Sequence, residues 1–299
     1  MLKKLQFAGL GLLLPFLLAS PVKAETVVEK VARTGFLTVG TRFDLIPYAY
    51  VNDKGELVGY SIDVLERIRA RLQKVLGRPV TLQMVEANDP GQKINLLRGG
   101  EIDIACDTAF TWERARVVDF STSYSLSGVR LLAKKGANLS TPESLVGKRI
   151  AVLRNSTAGD VLKLVQPKVT ITSDFATVEE AIAALKTGKI DALAGDSVIL
   201  AGTILRDNPT AFEIVPEEPY ARFGFGCMVP ENNSTFLDEV NYSIVGMMQD
   251  YVTGDVATVE KIDRWFGPSG LVPLPAELIK GFFAFTIIDH AQIPPENNK

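Results

Sequence analysis

Histidine is almost missing from this sequence: the one copy, His290, stands close to the C-terminal end. That takes the commonest general base away from nearly the whole chain. There is also no Gly-x-Ser-x-Gly elbow, no Gly-x-x-x-x-Gly-Lys phosphate loop and no zinc-ligand spacing. An enzyme therefore has little to rest on, although carboxylates are plentiful. Cysteine is scarce too. Cys106 and Cys227, with a single histidine, are too few ligands for a metal site, so neither metal nor cofactor is expected. The two cysteines remain a candidate disulfide if the chain is exported, or two buried thiols acting as small hydrophobes. No block of basic charge occurs, which argues against nucleic acid as a partner.

Long apolar runs are confined to the N-terminus. Lys3 and Lys4 precede an apolar stretch from Leu5 to Leu18, and Val22-Lys23-Ala24 offers a small-x-small cleavage site. The run falls short of the ~20 residues of a comfortable membrane span. Residues 1–24 therefore read as a signal peptide, with an uncleaved anchor as the alternative. Removing Lys3, Lys4 and Lys23 takes 32 basic residues to 29 against 35 acidic, a net charge near −6. The remaining 275 residues or so exceed one ordinary domain and suit two lobes.

What is present is an alternation of strand and helix patterns. Phe36 to Gly40 reads as a strand, and Tyr60 to Leu76 as a helix with Ile62, Leu65, Ile68 and Leu72 on one stripe. Val80 to Val85 reads as a strand, Gln92 to Arg98 as a helix and Ile102 to Ala105 as a strand. The scheme repeats with a strand over Lys148 to Leu153, a helix from Thr157, a helix over Val178 to Lys186 and a strand over Ile190 to Ala194. This alternation predicts an α/β fold of mainly parallel sheets flanked by helices. The runs also echo each other. Leu97-Arg98-Gly99-Gly100-Glu101-Ile102-Asp103 aligns with Leu185-Lys186-Thr187-Gly188-Lys189-Ile190-Asp191, 88 residues later, and an acid lies just past each strand, Asp107 and Asp196, one residue out of register. Two lobes of similar build are expected, offering strand C-termini to a shared cleft. The chain should cross between them near 127–136 and return near 218–226. Lobe one then takes 25–130 and 222–280, lobe two takes 131–221, and 281–299 forms a loose C-terminal tail.

Several polar side chains fall at the expected strand ends. Arg42 follows the first strand in Val39-Gly-Thr-Arg-Phe-Asp-Leu-Ile-Pro-Tyr48. Arg114 follows the Ile102 strand, and its planar fork can hold both oxygens of a carboxylate. The plain alternative is pairing with Glu113 or Asp119. Asn155-Ser-Thr-Ala-Gly159 follows a strand and opens a helix, so Ser156 and Thr157 can cap it while its free amides favour an anion. Asp196 can hold an ammonium group, or simply cap the helix that starts at Ser197. Two cations, one anion and a helix N-terminus match a small zwitterion carrying an additional negative charge.

Four motifs, in this order and spacing, resemble the bacterial extracellular solute-binding proteins of family 3, the receptor subunits of ABC importers. They are Ile46-Pro47-Tyr48 with Val58-Gly59-Tyr60-Ser61-Ile62-Asp63; Thr111-Trp-Glu-Arg114 through Asp119-Phe-Ser-x-x-Tyr124; Gly147-Lys-Arg-Ile-Ala-Val152 with Ser156-Thr157; and Ile190-Asp191 through Asp196. The resemblance runs from about Val27 to Phe266. It implies the type II periplasmic binding-protein fold with two hinge crossovers, a periplasmic location, a monomer, and a small-molecule amino acid and a permease as partners. It implies further that Arg114 grips the ligand α-carboxylate with help from the backbone near Ala109 and from Ser156 and Thr157. Asp196 would take the α-ammonium and Tyr60 would stack on the ligand. Arg42 resembles the arginine of glutamate/aspartate receptors, where it would pair a side-chain carboxylate and repel lysine or arginine. Three features depart from the pattern: a loop before Arg114 one residue shorter, Ala109 in place of a hydroxyl, and Asp107 in place of a glycine. The expected function is capture of a polar amino acid, glutamate or aspartate first and glutamine or asparagine next. The alternatives are a dehydratase-like enzyme on the same fold acting on a cyclic dicarboxylate, and a ligand-sensing module.

Overall fold

The computed structural model describes residues 24–207 and 210–290. The signal-peptide reading of 1–24 lies outside it but for Ala24, as does the chain from 291 onward. Helix α1 (Val27–Thr34) starts at a reciprocal capping box between Thr26 and Glu29. It is followed by β1 (Phe36–Thr41) and a small antiparallel meander of β2 (Asp44–Leu45), β3 (Ala49–Val51) and β4 (Leu57–Val58). Then come α2 (Tyr60–Leu76), β5 (Thr81–Glu86), α3 (Pro90–Arg98), β6 (Ala105–Ala109) and β7 (Asp119–Phe120). The long strand β8 (Ser125–Lys134) leads into β9 (Arg149–Leu153), α4 (Ala158–Val165), β10 (Thr170–Phe175), α5 (Val178–Lys186), β11 (Ala192–Asp196), α6 (Ser197–Asp207) and β12 (Phe212–Val215). β13 (Ala221–Val229) brings the chain back to α7 (Ser234–Thr253), α8 (Val256–Phe266) and α9 (Ala276–His290).

The sheets are mixed rather than mainly parallel. β1 runs parallel to β5, and β9 runs parallel to both β10 and β11. β8 and β13, however, run antiparallel to each other, from Ser125 opposite Phe225 to Val129 opposite Ala221. β8 is antiparallel to β11 and β12 as well, and β13 to β6. The cause is the crossing itself, since a chain that leaves one lobe and returns beside its own path must reverse direction. The first half of β8 pairs with β13 and the second half with β11 and β12, so one strand physically joins the two lobes.

The sequence echo is realised as a shared structural device. Asp103 Oδ2 accepts the Thr38 N–H at 2.9 Å, and Asp191 Oδ2 accepts the Arg149 N–H at 2.8 Å. Each acid thus ties down the neighbouring parallel strand near its start. The strand expected over Ile102 to Ala105 is displaced, because Asp103 N–H bonds to Thr38 O and Ile104 only bridges Val39. Ladder pairing with β13 begins at Ala105. Cys106 and Cys227 meet at the irregular step of that ladder and are disulfide-bonded.

The C-terminal stretch is not a loose tail over its described part. Ile279, Phe283, Thr286 and Ile287 of α9 are buried at helical spacing, and the helix packs against α7. The prolines and asparagines that suggested a tail lie before and after that stripe. Between the lobes, Gly202 of α6 lies hard against Ile46: a Cβ built there would come within 2.8 Å of both Ile46 Cγ2 and Ile46 O. Only a residue without a side chain fits that approach.

Candidate ligand-binding cleft

The ends of β1, β6, β9 and β11 converge on one cleft with an empty volume of about 800 Å³, part of it open to solvent. Ligand sites commonly fall in this size range. Arg42, Ala109, Arg114, Ser156, Thr157 and Asp196, six of the seven residues that the sequence singled out for a ligand, line it. The seventh, Tyr60, does not. It opens α2 beneath the cleft and is fully buried; its hydroxyl donates to Tyr124 O at 2.9 Å and its ring stands edge-on to Phe266 at 4.9 Å. With its polar tip satisfied and its faces packed, Tyr60 belongs to the core of lobe one.

Arg114 bridges the two lobes. Its Nη1 donates to Ala109 O at 2.7 Å and its Nη2 to Asn155 O at 2.8 Å. It forms no ion pair with Glu113 or Asp119 among the described residues, so the local-acid alternative is not realised. Burial draws its pKa below the ordinary arginine value, with Glu113 and Asp160 opposing. Asn155 holds a left-handed backbone, φ 56°, which asparagine tolerates better than most residues. From that turn its carbonyl meets Arg114 and its side-chain amide donates to Asp89 Oδ1 at 3.0 Å.

The polar ends on lobe two are left open towards the cleft. Thr157 occupies the N-cap position of α4 but makes no side-chain cap bond, and Ser156 Oγ is sealed from water without a partner. Simple capping therefore does not account for either hydroxyl. Asp196 fills one of the two roles foreseen for it, the helix cap. Its Oδ1 accepts the N–H groups of Val198 at 3.0 Å and Ile199 at 2.9 Å, capping α6, while Oδ2 is sealed and unpartnered. The residue as a whole keeps some surface exposure, but burial of the carboxyl raises its pKa to about 6.

On lobe one the cations arrive already engaged. Arg42, 7% exposed, forms a two-point pair with Asp44, Nε to Oδ1 at 2.7 Å and Nη2 to Oδ2 at 2.6 Å, and its Nη1 donates to Asn88 O. The free guanidinium that the sequence suggested is thus largely spoken for. Lys93, which sequence reasoning missed, donates from Nζ to Asp107 Oδ2 and to Cys106 O, both at 2.9 Å. Asp107, the residue standing in place of a glycine, is thereby neutralised. A lysine in mid-helix reads as solvated, and only its burial against an acid fourteen positions on reveals it. Asp107 Oδ1 has no partner. Four buried side-chain polar atoms lack partners among the described residues, and three of them, on Asp107, Ser156 and Asp196, belong to residues of this cleft.

The model of the bacterial extracellular solute-binding proteins, family 3, matches residues 37–268. The chain belongs to that family. Among relatives of this solute-binding protein, the L-glutamate/L-aspartate-binding protein of Pseudomonas aeruginosa is 28% identical over 279 residues, covering 88% of this chain and 91% of the relative. The glutamine-binding protein of Geobacillus stearothermophilus is 31% identical over 198 residues, covering 64% and 74%. An ancestral arginine-binding protein solved with glutamine bound superimposes with a TM-score of 0.68 at 28% identity, over 78% of this chain and 98% of that one. An ancestral amino-acid-binding protein described as a precursor of cyclohexadienyl dehydratase has the same TM-score at 24% identity, covering 80% of this chain and 98% of that one, and bears on the fold alone. The solute-binding protein thus has the two-lobed α/β architecture that the sequence predicted.

Proposed function

We propose that this chain is the receptor subunit of an ABC importer and captures a polar α-amino acid between its lobes. One observation carries the reading. A cleft closed by Arg114 holds sealed, unpartnered oxygens on Asp196, Ser156 and Asp107. Leaving such atoms unpaired costs free energy, and one amino acid supplies partners for all three. Its α-ammonium meets Asp196 Oδ2. Its α-carboxylate takes Arg114, Ser156 and the open amides of α4. Its side chain lies towards Arg42, Lys93 and Asp107. Relatives that bind glutamate and aspartate, or glutamine, support a ligand from this group.

The exported, periplasmic and monomeric state and the partner permease belong to this proposal. So do the lobe bounds 25–130, 131–221 and 222–280. The lobes open and close about β8 and β13, and the ligand shifts that balance by its extra contacts to lobe two. A thermal-shift screen of the twenty amino acids tests the reading, because a ligand of the folded state raises the melting temperature. At least one of glutamate, aspartate, glutamine and asparagine is expected to do so. Arg114→Ala should then weaken binding of the hit by about 3 kcal/mol or more, since it strands a buried carboxylate. Unchanged affinity in calorimetry would remove Arg114 from its role.

A further inference from the structure

We infer that the Lys93–Asp107 pair reads the ligand's side chain and selects a carboxamide over a carboxylate. The inference rests on the receptor reading above and narrows its ligand class. Lys93 and Asp107 line the cleft beside Arg42, with side chains only 2% and 0% exposed. The position is held firmly: Asp107 sits at φ 55°, and its own N–H donates to the Tyr124 hydroxyl at 2.7 Å. Two protons of the Lys93 ammonium are used, on Asp107 Oδ2 and Cys106 O, and a third remains. Asp107 Oδ1 is buried with nothing donating to it.

That leaves one acceptor and one donor at the floor of a subsite whose charges cancel, Lys93 against Asp107 and Arg42 against Asp44. A ligand carboxylate has no proton for Asp107 Oδ1 and would bring a like charge towards it. A ligand ammonium or guanidinium would satisfy Oδ1 but face Lys93 and Arg42. A carboxamide offers both halves: its NH₂ donates to Asp107 Oδ1, and its carbonyl accepts the remaining proton of Lys93. Sites built to hydrogen-bond a polar group discriminate strongly against analogues that cannot complete the bonds.

Calorimetric titration of the full chain at neutral pH with glutamine, asparagine, glutamate and aspartate tests this. The better amide should bind at least about tenfold more tightly than its own acid. In a Lys93→Met/Asp107→Gly double variant, which removes both the donor and the acceptor, that ratio should fall towards one. Glycine suits the backbone at 107; if that variant does not fold, Lys93→Gln/Asp107→Gly serves instead. An acid that binds the unaltered protein as tightly as its amide overturns the inference, and so does a preference that survives removal of the pair. Both results leave the receptor reading standing. Failure of every amino acid to bind or to raise the melting temperature overturns the receptor reading and this inference with it.

Discussion

Asp107 in lobe one and Asp196 in lobe two occupy similar places, one residue out of register in the repeat. Each stands on the strand that follows a helix–Gly turn, and each reaches the same cleft. Asp107 comes with a counter-ion from its own lobe, Lys93, on one oxygen. Asp196 has none; one oxygen caps α6 and the other is left over. Burial raises the pKa of both, but Lys93 pulls Asp107 back, whereas only backbone and hydroxyl hydrogen bonds pull on Asp196. Lys93 is in turn lowered by burial and drawn back up by Asp107. The same residue type on comparable strands thus has opposite surroundings. In lobe one it is paired with a lysine of the fold, and in lobe two it carries no counter-ion among the described residues.

That contrast can be broken experimentally. Asp107→Asn alone should cost about 3–5 kcal/mol in urea unfolding, because it leaves the Lys93 ammonium buried and unpaired. Adding Lys93→Met should recover most of the loss. A single variant as stable as the parent would show that the pair does not hold lobe one. The strand carrying Asp107 is also stapled by the Cys106–Cys227 disulfide, whereas none is found at β11 among the described residues. Replacing both cysteines with alanine should lower stability by about 2–5 kcal/mol.

Asp196→Asn should behave in the opposite way. Stability should hold or rise slightly, since a desolvated charge is removed, while ligand affinity falls by about 2 kcal/mol through loss of a charge-assisted bond. A large stability loss would make Asp196 a structural acid like Asp107.

The smallest effect is a pH dependence. With a folded pKa of about 6, above the ordinary carboxylate value, Asp196 favours the folded form most at low pH, and that contribution is lost as pH rises through 6. Ligand ammonium reverses the sign by stabilising the ionised carboxylate. Affinity should therefore be flat above pH 7 and fall by about tenfold per unit below pH 6. Asp196→Asn should flatten the profile, and a slope that persists in it would assign the titration elsewhere.

Much of this arrangement was legible in the sequence because strand ends and helix starts follow local rules. α2 and α5 fall where their apolar spacing puts them, and Arg42, Ser156, Thr157 and Asp196 reach the cleft because each follows a strand that ends there. What local rules cannot supply is the partner across space. Tyr60 has the makings of a ligand-stacking ring until Tyr124 O takes its hydroxyl and Phe266 its face. Arg42 is a free cation only until Asp44, two residues on, folds back onto it. Asp107 stood out as a departure because its answer, Lys93, lies on another element and meets it only in the fold.

Gly202 carries a lesson of a different kind. Its backbone meets Ile46 of the opposite lobe with no room for a methyl group. A single added carbon there acts as a doorstop. Gly202→Ala would change no residue lining the cleft and still hold the lobes ajar, so that a ligand bound on the proposed pattern would lose its grip across them. Capture and closure would then fail together through one atom on the helix that begins at the cleft.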